Sequence, residues 1–152
     1  MRRARIWLLS GLGVVVFLVI SALLARALSV DGAERNAITG LVKSEARGDA
    51  AGMAALIQGC GAEPACRQRV AEDAAALRRQ GTVVILTLSP SAGFSLGSTL
   101  GTARVAWRAG NALPVVQCVR VRRAGDVLSG LHVELLEISR RITTDAACPA
   151  RY

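Results

Sequence analysis

The segment "PACRQRVAEDAAALRRQGTVVILTL", residues 64–88, changes its hydrophobic period half-way, and that change sets the fold class. Pro64 suits a first helical position, where its missing N–H costs nothing. Cys66, Val70, Ala74 and Leu77 then recur on one helical face, and Gly81 supplies a stop. From Thr82 to Leu88 the residues are β-branched and aliphatic, the signature of a strand. Upstream the same helical period recurs. Asp31 and Glu34 have the form of a capping box, followed by Ile38, Leu41, Val42 and Ala46 on one face up to Gly48. Asp49 can cap a second, short helix from Ala50 to Gln58, with Met53, Leu56 and Ile57 as buried candidates. Downstream come strand-like runs at Thr102–Arg108, Leu113–Arg123 and from Val127 to about Ile142, with the tight turns "AGN" and "AGD" between them. The expected fold is α+β: three helices on a curled four-stranded antiparallel sheet, preceded by an N-terminal transmembrane helix.

The transmembrane expectation comes from "MRRARIWLLSGLGVVVFLVISALLARALS". Arg2, Arg3 and Arg5 precede an uncharged run from Ile6 to Ala25, longer than the 7–15 residues of an ordinary signal core. Trp7 suits a membrane interface, and the basic excess before the run places the N-terminus inside. Ala25-Arg26-Ala27 has the small-x-small form of a signal-peptidase site, the alternative to a retained anchor. The organisation read from these features is a basic cytoplasmic N-terminus over 1–5, an anchor over 6–28, an extracytoplasmic α+β domain over 29–142 and a tail over 143–152. The location is a bacterial cytoplasmic membrane, single pass, with the C-terminal domain outside.

Four cysteines fit that location. "CGAEPAC", residues 60–66, joins the second and third helices, and bonding Cys60 to Cys66 would pin the turn. Zinc needs paired short ligand spacings, which Cys118, Cys148 and the lone His132 do not complete, and a thioredoxin-like centre needs Cys-x-x-Cys. No metal and no cofactor is expected. Four cysteines allow three pairings; with Cys60 bonded to Cys66, elimination leaves Cys118 to Cys148. That second bridge requires the last strand to bend or end before about Arg140, so that the tail folds over the outer sheet face.

The net charge of +8 falls to +4 once Arg2, Arg3, Arg5 and Arg26 are assigned to membrane topology. The remaining aromatics, Phe94, Trp107 and Tyr152, are too few for a base-stacking platform, so no nucleic-acid partner is expected. The linker "SPSAGFSLGSTLG", with Gly93, Gly97 and Gly101, lacks the Lys and the following helix of a phosphate loop.

Three helices, then an antiparallel sheet with a long last strand, carried by segments such as "ERNAITGLVKSEARGD" and "LHVELLEIS", resemble the cone-shaped superfamily of nuclear transport factor two and ketosteroid isomerase. The nearer resemblance is to its membrane-anchored exported bacterial members. It implies helices across a concave sheet face, often around a pocket, in a superfamily of enzymes, ligand binders and structural partners, so fold does not choose the function.

Residue parity sorts the faces. A three-residue loop Ala124-Gly125-Asp126 places Cys118 opposite His132 and Val119 opposite Leu131. His132 and Glu134 then share the outer face with Arg120 and Arg122, and with Arg104 and Arg108 beyond, as a candidate anionic-partner face. The interior consists of Ile38, Leu41, Val42, Leu77, Val105, Trp107, Val119, Val121, Leu131, Val133 and Leu135, with Glu45 and Gln117 intruding from its edges. Leu41, Val42, Glu45, Trp107, Gln117 and Val119 are the pocket candidates. No residue is assigned a catalytic role, because no paired acid–base groups or activated nucleophile are visible. The function read from this is a membrane-tethered, non-catalytic binding or assembly module of the cell envelope. Its partner would be an envelope protein, a second copy or a small apolar ligand. The alternatives are a small isomerase- or hydrolase-like enzyme using the cone cavity, and a spacer or accessory subunit of an envelope transporter.

Overall fold

A computed structural model describes residues 2–91, 99–126, 130–143 and 146–149; the side chains of 2–10, 26–30, 126, 130 and 131 lie outside the description. The expected roles of Trp7, of the N-terminal arginines, of the Ala25-Arg26-Ala27 site, of Phe94, Gly93, Gly97 and Tyr152, and of the Leu131 side chain fall on those excluded positions.

The first helix corrects two expectations. Helix α1 runs unbroken from Arg2 to Arg47, so no cap separates an anchor from a domain helix. Gly32 does not take the positive φ that ends helices elsewhere in the chain, and Asp31 and Glu34 are engaged by the sheet instead of by helix N–H groups. The expected transmembrane helix is not found: among the described residues no helix is long and apolar enough to cross a membrane. The described stretch from Gly11 to Ala25 is uncharged. Its side chains, among them Leu12, Phe17 and Leu24, are exposed.

Gly48, at φ +75°, ends α1 in the left-handed conformation that favours glycine. Asp49 then caps α2 (Ala50–Leu56) by accepting the N–H of Gly52 at 2.8 Å. Met53 and Ile57 are buried as expected, whereas Leu56 is exposed. The connector to α3 (Pro64–Leu77) is closed by the Cys60–Cys66 disulfide, with Cα atoms 5.2 Å apart. Pro64 occupies the first turn of α3, and Val70, Ala74 and Leu77 are buried.

Strands β1 (Val83–Ser89), β2 (Thr99–Ala109), β3 (Val115–Asp126) and β4 (Gly130–Ile138) form one antiparallel meander in the order β1-β2-β3-β4. Register shifts between Ile85 and Thr87 and opposite Arg120/Val121 mark bulges, which bend and twist a sheet. Alternate residues Ala103, Val105, Trp107 and Val119, Val121 point to one face, where they meet Ile38, Leu41 and Val42 of α1 in a single core.

The β3–β4 turn is not at "AGD". Ala124, Gly125 and Asp126 continue β3, pairing with His132, Leu131 and Gly130. From Val121 to Asp126 the pairing is therefore offset by six residues from the expected one, and by seven beyond the bulge at Arg120/Val121. Six is even, so His132 to Leu135 keep their predicted faces. The offset brings Cys118 beside Ser139, whose N–H donates to the Cys118 carbonyl at 2.8 Å, instead of beside His132. With β4 ending at Ile138, the chain continues along β3 to Ile142, bridged to Val116, and the tail then folds over the outer face. Cys148 reaches Cys118 with Cα atoms 5.7 Å apart. The two bridges contribute about 2 and about 4 kcal/mol on the chain-entropy account.

Candidate functional site

Helix α1 carries Glu34, Ile38, Leu41, Val42 and Glu45 at spacings that place them on one stripe, so the apolar surface facing the sheet has a carboxylate at each end. The pocket candidates Leu41, Val42, Glu45, Trp107, Gln117 and Val119 do converge here, and every one is 0% exposed. They form a packed polar chain. Trp107 Nε1 donates to Gln117 Oε1 at 2.9 Å, and Gln117 Nε2 donates to Glu45 Oε1 at 2.7 Å and to the Ser139 carbonyl at 3.1 Å. Glu45 is thus fully enclosed in the interior.

Glu45 is only half satisfied: its Oε2 has no hydrogen-bond partner among the described residues. Burial pushes its pKa up to about 8, opposed by the Gln117 hydrogen bond and reinforced by the charge of Asp73. Asp73, on α3, is itself buried, with Oδ2 unpartnered among the described residues, and burial raises its pKa to about 6 against the pull of Arg69 and Arg140. At neutral pH Glu45 is a protonated acid inside the core. Such a group has the acidity of a general acid or base, but catalysis also requires that a substrate reach it.

Glu34, at the opposite end of the stripe, is fully engaged. Its carboxylate accepts the Ser91 N–H at 2.7 Å, the Ser91 hydroxyl at 3.0 Å and Arg123 Nε at 2.9 Å. Arg123 Nη2 also lies 2.7 Å from both Glu34 and Asp31. The Glu34 and Asp31 carboxylates hold the Arg123 guanidinium above its ordinary value despite burial. Gly101 permits this arrangement, because a Cβ there would fall 2.3 Å from the Ser91 Cβ.

The outer-face residues also assemble, in company with acids. Arg122 Nε is 2.5 Å from Glu134, which lowers that carboxyl's pKa, and Arg122 also donates to Gln58. His132 Nε2 lies 3.3 Å from Glu134 Oε1, Arg120 lies 3.2 Å from Glu137, and Arg104 donates to the Ala146 carbonyl of the tail at 2.6 Å. Arg108 is exposed. The candidate anionic face is therefore a lattice of cations and carboxylates that holds β4 and the tail.

Sequence reasoning missed the Glu34–Arg123 pair and Asp73. The spacing from Glu34 through Ile38 and Leu41 to Glu45 was the available signal for two buried acids. Arg123 was hidden because its partner is distant in the chain.

Away from Glu45, a cleft of about 240 Å³ opens between α3 and β4, lined by residues that include Ile57, Glu63, Arg69 and Ile138. Among the described residues no group of three His, Cys, Asp or Glu side chains is placed to hold a metal. Compared with known families, curated proteins and solved structures, the chain gives no match. Likeness supplies no activity, and any function has to be argued from the geometry.

Proposed function

We propose that this chain is a non-catalytic binding or assembly module of the bacterial cell envelope, working outside the cytoplasm, with a cone fold akin to that of nuclear transport factor two. The observation that carries the reading is the filled interior. Glu45, Gln117 and Trp107 are completely enclosed and hydrogen-bonded to one another, so the acid of suitable strength has no described approach for a substrate. Two disulfides support an oxidising location, since such bonds persist mainly in exported proteins. Three helices covering one face of a four-stranded meander support the cone comparison.

The enzyme alternative draws on the raised pKa of Glu45 and needs an opening to it. Glu45→Gln separates the two. The substitution keeps the Gln117 contact and removes the titrating group, so a binding module retains its envelope partner in crosslinking of intact cells. Loss of cellular function by a Glu45→Gln protein that is folded and abundant would overturn the non-catalytic reading.

A further inference from the structure

We propose that the cleft between α3 and β4 binds a short apolar zwitterion, of the size of a dipeptide, with its ammonium on Glu63 and its carboxylate on Arg69. The inference rests on the binding-module reading and names its ligand.

The floor of the cleft is apolar: Ile57, Val70 and Ile138 are core side chains whose outer surfaces meet there, beside Cys66. Above this floor stand three charged groups with different commitments. Glu137 is tied to Arg120 at 3.2 Å. Glu63 and Arg69 form no ion pair among the described residues. Glu63 occupies the N-cap position of α3, yet its side chain accepts no capping hydrogen bond from the helix. The cleft thus presents one anion, Glu63, and one cation, Arg69, whose described company is the field of Asp73 and Glu72 without a close ion pair, across an apolar floor.

Spacing and size narrow the ligand. Glu63, at the N-cap, and Arg69, in the second turn of α3, are six residues apart, about 9 Å along the helix axis. That separation exceeds the span of one amino acid's ammonium and carboxylate, and two extended residues cover about 7 Å, which flexible Glu and Arg side chains can clasp. A volume of about 240 Å³ falls below the range of roughly 300–1,000 Å³ typical of drug-sized ligands. The Cys60–Cys66 bridge holds the connector beside Glu63, so the wall is set before the ligand arrives.

Titration calorimetry of the full chain with leucyl-leucine tests this, with N-acetylated and C-amidated leucyl-leucine as controls. The free dipeptide is expected to bind, with each blocked form weaker by about tenfold through loss of one charge-assisted contact. Glu63→Gln is expected to abolish the penalty of N-acetylation, and Arg69→Gln that of C-amidation, each leaving the other penalty in place. No binding of the free dipeptide, or equal binding of all three forms, overturns the proposal. Chromatography of the same mixtures separates the two levels: intact dipeptide is expected, while its hydrolysis would refute the non-catalytic reading. Failure to bind alongside a retained envelope crosslink would refute only this site.

Discussion

Glu34 and Glu45 lie on the same stripe of α1, are equally enclosed, and are treated in opposite ways. Glu34 receives donors from Ser91 and Arg123 on both oxygens, whereas Glu45 has Gln117 on one oxygen and no described partner on the other. A buried carboxylate can be kept charged by a cation or relieved of its charge by a proton. This domain pairs Glu34 with Arg123 where α1 meets the end of β3, and leaves Glu45 its proton at the other end of the stripe. The difference shows that burial alone does not mark an active site.

Arg123→Ala breaks the first solution and is expected to have the largest effect. It leaves Glu34 enclosed without its cation, which costs about 3–5 kcal/mol. Denaturant unfolding at pH 7 measures it, and a loss below about 1 kcal/mol would mean that the Glu34–Arg123 pair does not hold α1 to β3.

Glu45→Gln should act in the other direction. Because Glu45 is raised from 4.5 to about 8 in the fold, the folded chain keeps a proton that the unfolded chain releases above about 4.5. Its contribution to stability is complete below that value and is lost as pH rises toward 8. Asp73, raised from 3.8 to about 6, adds a loss of the same sign over a lower window. Glu45→Gln is expected to match wild type near pH 5 and to exceed it by about 3 kcal/mol at pH 8. Unfolding curves across that range check both the slope and its removal.

Gly101→Ala sharpens the contrast at smaller amplitude. The added methyl displaces Ser91 from Glu34 and is expected to cost about 1–3 kcal/mol. The pH dependence assigned to Glu45 should remain unchanged in this variant, since the two carboxylates have separate partners.

Much of this was legible in the sequence, for identifiable reasons. Periodicity located α3, the cap at Asp49 and the four strands, because each depends on neighbours within a turn or a pleat. Elimination paired Cys118 with Cys148, and parity kept His132 and Glu134 on the outer face even though the hairpin was misplaced. The turn was misjudged because Gly125, with φ +106°, has turn-like chemistry but lies within β3. The start of α1 was misjudged because Asp31 and Glu34 imitate a capping box while serving Arg123, nearly 90 residues further on. The enclosure of Glu45 emerges only when Gln117 and Trp107 are brought over it by the sheet.

Whether the interior is sealed is the central claim, and the carboxyl of Glu45 reports it directly. Carbon-13 NMR titration of the Glu45 side-chain carboxyl in the full chain is predicted to give a midpoint near 8. A midpoint near the ordinary glutamate value of about 4.3 would place the group in contact with water, open the interior, and contradict the account.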